Sequence, residues 1–185
     1  MVIVFPTVSA LLDQVGQELG ASPWHRVDQA GIDAFGELTG DRQWIHTDSE
    51  RARNGPFGGP IAHGMLTVAL LIPMLGEIFR VDGADLVVNK GLDRVRFAGP
   101  VPAGGDVRAE AELLSAQARP KDFTEVVLRT RIVLAGRREP VCRAHCVLLY
   151  HQAPDIGEQH GADAELTETG YRSASTGHVL PGRVE

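Results

Sequence analysis

Apolar residues recur at helical spacing near the start of the chain: Val8, Leu11, Leu12, Val15 and Leu19. Thr7 is available as an N-cap and Gly20 as a stop, so the pattern predicts a short amphipathic helix. A second helix is expected from Asp28 to about Leu38, burying Ile32 and Phe35 and ending at Thr39-Gly40. Thr47 and Glu50 have capping-box spacing, which predicts a third helix over Asp48 to Arg53. Asn54 to Pro60 (NGPFGGP) has no periodicity and reads as a loop. After Gly64 the run MLTVALLIPMLGEIF, Met65 to Phe79, is apolar nearly all round, the mark of a helix buried on most sides.

The period then changes to two. Val107, Ala109, Ala111 and Leu113 alternate with Arg108, Glu110 and Glu112. Val126, Leu128, Thr130, Ile132 and Leu134 do the same against Glu125, Val127, Arg129, Arg131 and Val133, as in a sheet with one more polar face. Leu86 to Phe97 and Val141 to Tyr150 complete a set of about four long, mostly antiparallel strands, with Gly and Pro between them. One apolar helix followed by these strands predicts an α+β fold in which an antiparallel sheet wraps a central helix, the hot-dog architecture. From Gln152 to Glu185 bulky apolar residues are sparse. The expected organisation is therefore one domain over residues 1–151 and a flexible tail over 152–185.

Composition narrows the function classes. A chain of 185 residues, 43% hydrophobic and 23% charged, suits one soluble globular domain. A formal charge of −6 argues against nucleic acid as a partner. No stretch reaches the roughly 20 apolar residues of a membrane span, and no basic leader precedes the first apolar run, so a cytoplasmic protein is expected. Cys142 and Cys146 lie four residues apart in a predicted strand. That separates them by roughly 13 Å, beyond the reach of a disulfide.

The segment FGELTGDRQWIH, Phe35 to His46, carries the candidate chemistry. Gly40 permits a tight turn at a helix end, Asp41 follows at once, and His46 comes five residues later. In a regular helix these two side chains would stand about 500° apart, so they converge only if Arg42 to Ile45 turns irregularly. Spacing alone leaves a plain turn or cap open as the role of Gly40-Asp41.

The segment resembles the signature of the MaoC-like dehydratases and R-specific enoyl-CoA hydratases, matching it at Phe35, Leu38, Thr39, Gly40, Asp41 and His46. Gln43-Trp44 replaces the family's Asn-Pro, a departure similar to the nodulation-protein-N-like branch. PIAHGMLT (Pro60 to Thr67) and NKGLDRVRF (Asn89 to Phe97) extend the resemblance to roughly Val8 to Tyr150. It implies a hot-dog fold, a homodimer with sites near the subunit interface, and reversible hydration of a trans-2-enoyl-CoA or acyl-carrier thioester to the R-3-hydroxyacyl thioester.

On that resemblance Asp41 and His46 are the expected acid–base pair, sharing one water. Gly64, opening the apolar helix, is the expected oxyanion donor, its missing Cβ letting the thioester approach the backbone. His63 is expected to tie down the loop before Gly64 or touch substrate, and Gln43 to hold the catalytic loop. Asn89 is a candidate lining residue of the acyl tunnel. Lys90, Arg94 and Arg96 alternate along one strand, and Arg51 and Arg53 flank the site loop. They read as a solvated face or as counter-charge for CoA phosphates. No metal and no cofactor beyond the CoA of the substrate is expected. Asp41, His46 and His63 lack recognisable ligand spacing. The competing readings are a thioesterase on the same fold and a non-catalytic acyl-thioester-binding subunit.

Overall fold

The computed structural model describes residues 2–152. The expected tail lies outside the described residues apart from Gln152. That residue is bonded into the body: its Oε1 accepts from the Val8 N–H at 2.8 Å.

The first expected helix is overturned in form. Ser9–Gln14 is a 3₁₀-helix, and the chain turns at Gly16 into strand β2, Glu18–Ala21. Thr7 does start the helical turn, its Oγ1 accepting from the Ala10 N–H at 3.3 Å. Gly20 is not a stop: it sits in β2, beside a register shift against a neighbouring strand. The apolar spacing misled because its members serve different partners. Val8, Leu11 and Leu19 are buried, Leu19 from a strand, while Leu12 and Val15 are exposed.

Helix α1, Gln29–Thr39, forms where its caps are. Asp28 accepts from the Gly31 N–H at 2.8 Å, and Gly40 closes the helix in the left-handed region at φ 77°, its N–H on the Gly36 carbonyl. Ile32 is fully buried, whereas Phe35 is only half-buried. A single helical turn follows, α2, Trp44–Thr47, and then α3, Ser49–Arg53. The expected Thr47–Glu50 capping box does not form. Thr47 closes α2, its hydroxyl donating to the Arg42 carbonyl at 3.3 Å, and Asp48 caps α3 by accepting from the Arg51 N–H at 2.9 Å.

The long apolar run is two helices rather than one, α4, Gly64–Ala69, and α5, Leu71–Ile78. Pro73 has no N–H for the Ala69 carbonyl, so the helix breaks at Leu70. Phe79 has left the helix and begins β4, Phe79–Val81, which pairs in parallel with β1, Ile3–Phe5. Nor is the run buried on every side: Met65 (62% exposed) and Ile72 (47%) face outward.

Strands β5 (Leu86–Phe97), β6 (Gly105–Arg119), β7 (Phe123–Leu134) and β8 (Cys142–His151) are the four long strands expected. They join β2 in an antiparallel sheet of order β2-β6-β7-β8-β5, and β3, His25–Val27, also pairs with β6. The inward positions of β6, β7 and β8 are the alternating apolar set, packed with α5 residues Leu71, Met74, Leu75 and Ile78 in one core. This is the hot-dog fold. Among the described residues strand β5 pairs only with β8 and is an edge. It carries register shifts between Asn89 and Gly91 and between Asp93 and Arg96, with Arg94 at φ 53°. Lys90, Arg94 and Arg96 therefore do not share a regular strand face as expected, because each irregularity resets the alternation. Cys142 and Cys146 are free, buried thiols on β8.

Candidate active site

Three short devices bring Asp41 and His46 together. The left-handed Gly40 turns the chain out of α1, and Arg42 N–H bonds back to the Gly40 carbonyl at 3.0 Å. The Gln43 N–H then points at Asp41 Oδ1 from 3.5 Å. Helix α2 completes the reversal, with His46 N–H on the Gln43 carbonyl at 2.9 Å. The irregular turn that the Asp41–His46 spacing requires is thus a turn plus one helical coil. Gln43 holds it through main-chain groups, and its side chain is exposed.

Asp41 is exposed, while the His46 and His63 rings are buried and stacked, with centroids 3.9 Å apart and planes at 28°. His46 Nδ1 lies 2.6 Å from the Ile61 carbonyl oxygen. A carbonyl only accepts, so Nδ1 carries the proton and Nε2 is left with a free lone pair. His63 Nε2 by the same logic donates to the main-chain oxygen of Asp41 at 2.8 Å, while its Nδ1 is buried without a partner. One donor atom from each of Asp41, His46 and His63 lies within 4.8 Å of the others. Two of the four imidazole nitrogens are committed to carbonyls, and what remains at the surface of the cluster is a carboxylate beside a basic imidazole nitrogen. Gln29 steadies this from α1, its amide donating to the His46 carbonyl at 2.7 Å.

Gly64 belongs to two adjoining cavities. One, of about 330 Å³, is lined by His46, Phe57, Ile61, Thr67 and Phe97. The other, of about 440 Å³, is lined by Phe35, Thr39, Asp41, His63 and Phe97. The Phe97 ring lines both and abuts the α4 terminus: a Cβ on Gly64 would stand 3.0 Å from Phe97 Cζ. The missing side chain thus makes room for this ring as well as for a ligand. By position, the first-turn N–H groups of α4 have no helical acceptors.

The other expected residues are dispersed. Asn89 lines a separate cavity of about 360 Å³ with Ile72, Phe79, Leu148 and Tyr150. Arg94 and Arg96 line neither site cavity, and Lys90 is ion-paired with Glu125. Arg51 packs its guanidinium 4.5 Å above Trp44. Sequence reasoning passed over Phe97, Gln29 and Trp44. Only Trp44 left a signal, as the departure from Asn-Pro. Its ring fills the space a Cβ on Gly55 would need, tying α2 to the glycine-rich loop.

Known proteins share this arrangement of chain. The sequence is 38% identical over 146 residues to 3-hydroxyacyl-thioester dehydratase Z of Mycobacterium tuberculosis H37Rv, covering 79% of this chain and 97% of that one. It is 37% identical over 144 residues to nodulation protein N of Rhizobium leguminosarum bv. viciae, covering 77% and 89%. The solved structure of an (R)-hydratase from Aeromonas caviae involved in PHA biosynthesis superposes with a TM-score of 0.58 at 28% identity, covering 72% and 94%. The MaoC-like domain model matches residues 11–134, and the chain belongs to that family.

Proposed function

We propose that the protein catalyses the reversible addition of water to a trans-2-enoyl thioester, giving the R-3-hydroxyacyl thioester. The observation that carries this reading is the Nδ1 contact of His46 with the Ile61 carbonyl, which leaves Nε2 as the ring's free base in a cluster with the Asp41 carboxylate. A water held between the two loses a proton as its oxygen bonds to C3. The C2–C3 π electrons move toward the thioester carbonyl, whose oxygen gains enolate charge. The Gly64 N–H at the start of α4 is suited to stabilise that charge. A proton returned to C2 completes the addition, and dehydration runs the same steps backward. The names of the Mycobacterium and Aeromonas relatives agree with this chemistry. The reading requires no metal and no cofactor beyond the CoA carried by the substrate.

A homodimer is part of the same proposal. Met65 and Ile72 on the helices, and Leu86, Val87, Val88 and Phe97 on edge strand β5, leave apolar surface exposed. An unpaired edge beside an apolar flank is covered by a second copy through the same surface. Among the described residues no helix is long and apolar enough to cross a membrane.

The test is the ultraviolet absorbance of crotonyl-CoA with pure protein. Loss of the conjugated-thioester band without thiol release is the expected result. Thiol release would replace the reading with a thioesterase, and no change would leave a binding subunit.

A further inference from the structure

Behind the wall that Gly99, Pro100 and Val141 give the His46 cavity lies another concavity, of about 450 Å³. Trp24, Arg108, Arg131, Arg137 and Arg138 line it, with Glu110 as the one carboxylate. The two spaces share the junction of the β5–β6 and β7–β8 loops. Arg137 donates to the Ala98 carbonyl at 3.3 Å and lies directly against Gly99. Four guanidinium groups line it with one carboxylate, and a second carboxylate, Glu18, reaches Arg131 at 3.4 Å. Glu110 is already engaged by Arg108 at 3.1 Å and by Arg131 at 3.2 Å. Among the described residues Arg137 has only a neutral partner and Arg138 has no ion-pair partner within 4 Å. Arg108 rests 4.8 Å over the half-exposed Trp24 ring, and its Nε is buried without an acceptor.

We propose that this concavity holds the nucleotide end of coenzyme A, a proposal that rests on the acyl-thioester reading above. Arginines present planar, paired donors that match phosphate oxygens, and Arg137 lies against Gly99 in the wall of the His46 cavity. A purine stacks on an indole already backed by a guanidinium. The pantetheine arm then runs over the Gly99–Pro100 rim to the thioester. A concavity with an aromatic side suits a nucleoside bisphosphate, whereas a carrier protein needs a broad surface of roughly 800 Å² per partner.

The full chain is titrated calorimetrically with adenosine 3′,5′-bisphosphate. In parallel, kcat/KM is measured for crotonyl-CoA and for crotonyl-pantetheine, which lacks the nucleotide. Arg138→Ala, which breaks no side-chain hydrogen bond or ion pair among the described residues, should weaken bisphosphate binding roughly tenfold, the worth of one charge-assisted bond. It should lower the preference for crotonyl-CoA over crotonyl-pantetheine to a similar degree, with an unchanged melting temperature. Trp24→Leu should weaken the same binding. Absence of binding to the wild type, binding that Arg138→Ala leaves intact, or an unchanged substrate preference each overturns the proposal. So does a loss in Arg138→Ala seen only with crotonyl-acyl-carrier protein. If the wild type hydrates neither thioester the hydratase reading fails, and the bisphosphate titration alone then decides the pocket.

Discussion

His63 Nε2 donates to the main-chain oxygen of Asp41 at 2.8 Å, while the His63 ring stacks on His46 at 3.9 Å. One side chain that is 2% exposed thus touches both members of the acid–base pair. It fixes the Asp41 backbone from behind and limits the tilt of the His46 ring. His63 is a positioning residue: its remaining nitrogen is buried and reaches no other group.

Replacing His63 by Phe should therefore lower kcat by about tenfold to a hundredfold, the cost of displacing a reacting group by a fraction of an ångström to one ångström. KM should change little. His63→Gln, which keeps an N–H donor, should recover part of the loss. Steady-state kinetics on all three proteins checks this. Equal kcat in the Phe and Gln variants would show that the hydrogen bond to Asp41 is idle.

A second expectation concerns Gly64 and Phe97. A Cβ on Gly64 meets the Phe97 ring at 3.0 Å, so Gly64→Ala must push either the ring or the start of α4. Turnover should fall and stability should drop by about 1 kcal/mol or more. Phe97→Leu removes the obstruction, and the double variant should lose less than the two single losses added together. Denaturation curves and kcat/KM on the four proteins measure that coupling.

The sequence made α1 legible because both its ends carry their own chemistry, the Asp28 cap and the left-handed Gly40. It made β6 and β7 legible because Val107 to Leu113 and Val126 to Leu134 alternate without interruption over a half-buried sheet. The turn between Asp41 and His46 was foreseen only as a necessity. Its form depends on His63 and Gln29, distant residues whose hydrogen bonds have no local signature. The short strands β1 to β4 were invisible for a similar reason, each being three or four residues whose partners lie far along the chain. In the first apolar pattern, helical spacing masked a 3₁₀ turn and a strand. Phe97 looked like the end of an alternating strand, and only folding brings it against Gly64.

Met65, Ile72 and Val87 should lie in a contact between copies. Light scattering of the wild type at micromolar concentration should report a dimer, and Ile72→Asp or Val87→Asp should shift it toward monomer. A charge in the covered centre of such a contact has nothing to pair with. A wild-type monomer would remove the second copy from the account.

The two thiols provide a pH expectation. Burial pushes the Cys142 thiol up to about 11, with a smaller electrostatic contribution from Cys146, and burial raises Cys146 as well. A raised value keeps a thiol protonated and unreactive until the pH approaches it. Neither cysteine should react with an aromatic disulfide reagent between pH 7 and about 9 in the folded protein. Both should react once the chain is unfolded in denaturant. Rapid labelling of the native protein at pH 8 would contradict the burial.

The central expectation concerns Asp41 and His46 themselves. With His46 Nδ1 tied to Ile61, only Nε2 can take the proton of a water, and the nearest carboxylate to polarise or reload that water is Asp41. Asp41→Asn keeps the shape of the side chain and removes its charge. His46→Gln retains a side-chain amide but no basic nitrogen. Each should lower kcat by roughly 10²–10⁴-fold, the usual contribution of one acid–base group, with a modest change in KM. Because both act on one water, the double variant should be little worse than the poorer single one. Their effects on folding should differ. Asp41 is exposed, and Asp41→Asn should melt near the wild type, whereas His46 is buried with a bonded Nδ1, so His46→Gln should cost about 1 kcal/mol. Stopped-assay hydration of crotonyl-CoA together with thermal denaturation separates chemistry from stability. A folded Asp41→Asn protein with near-full hydratase activity would refute the shared-water mechanism.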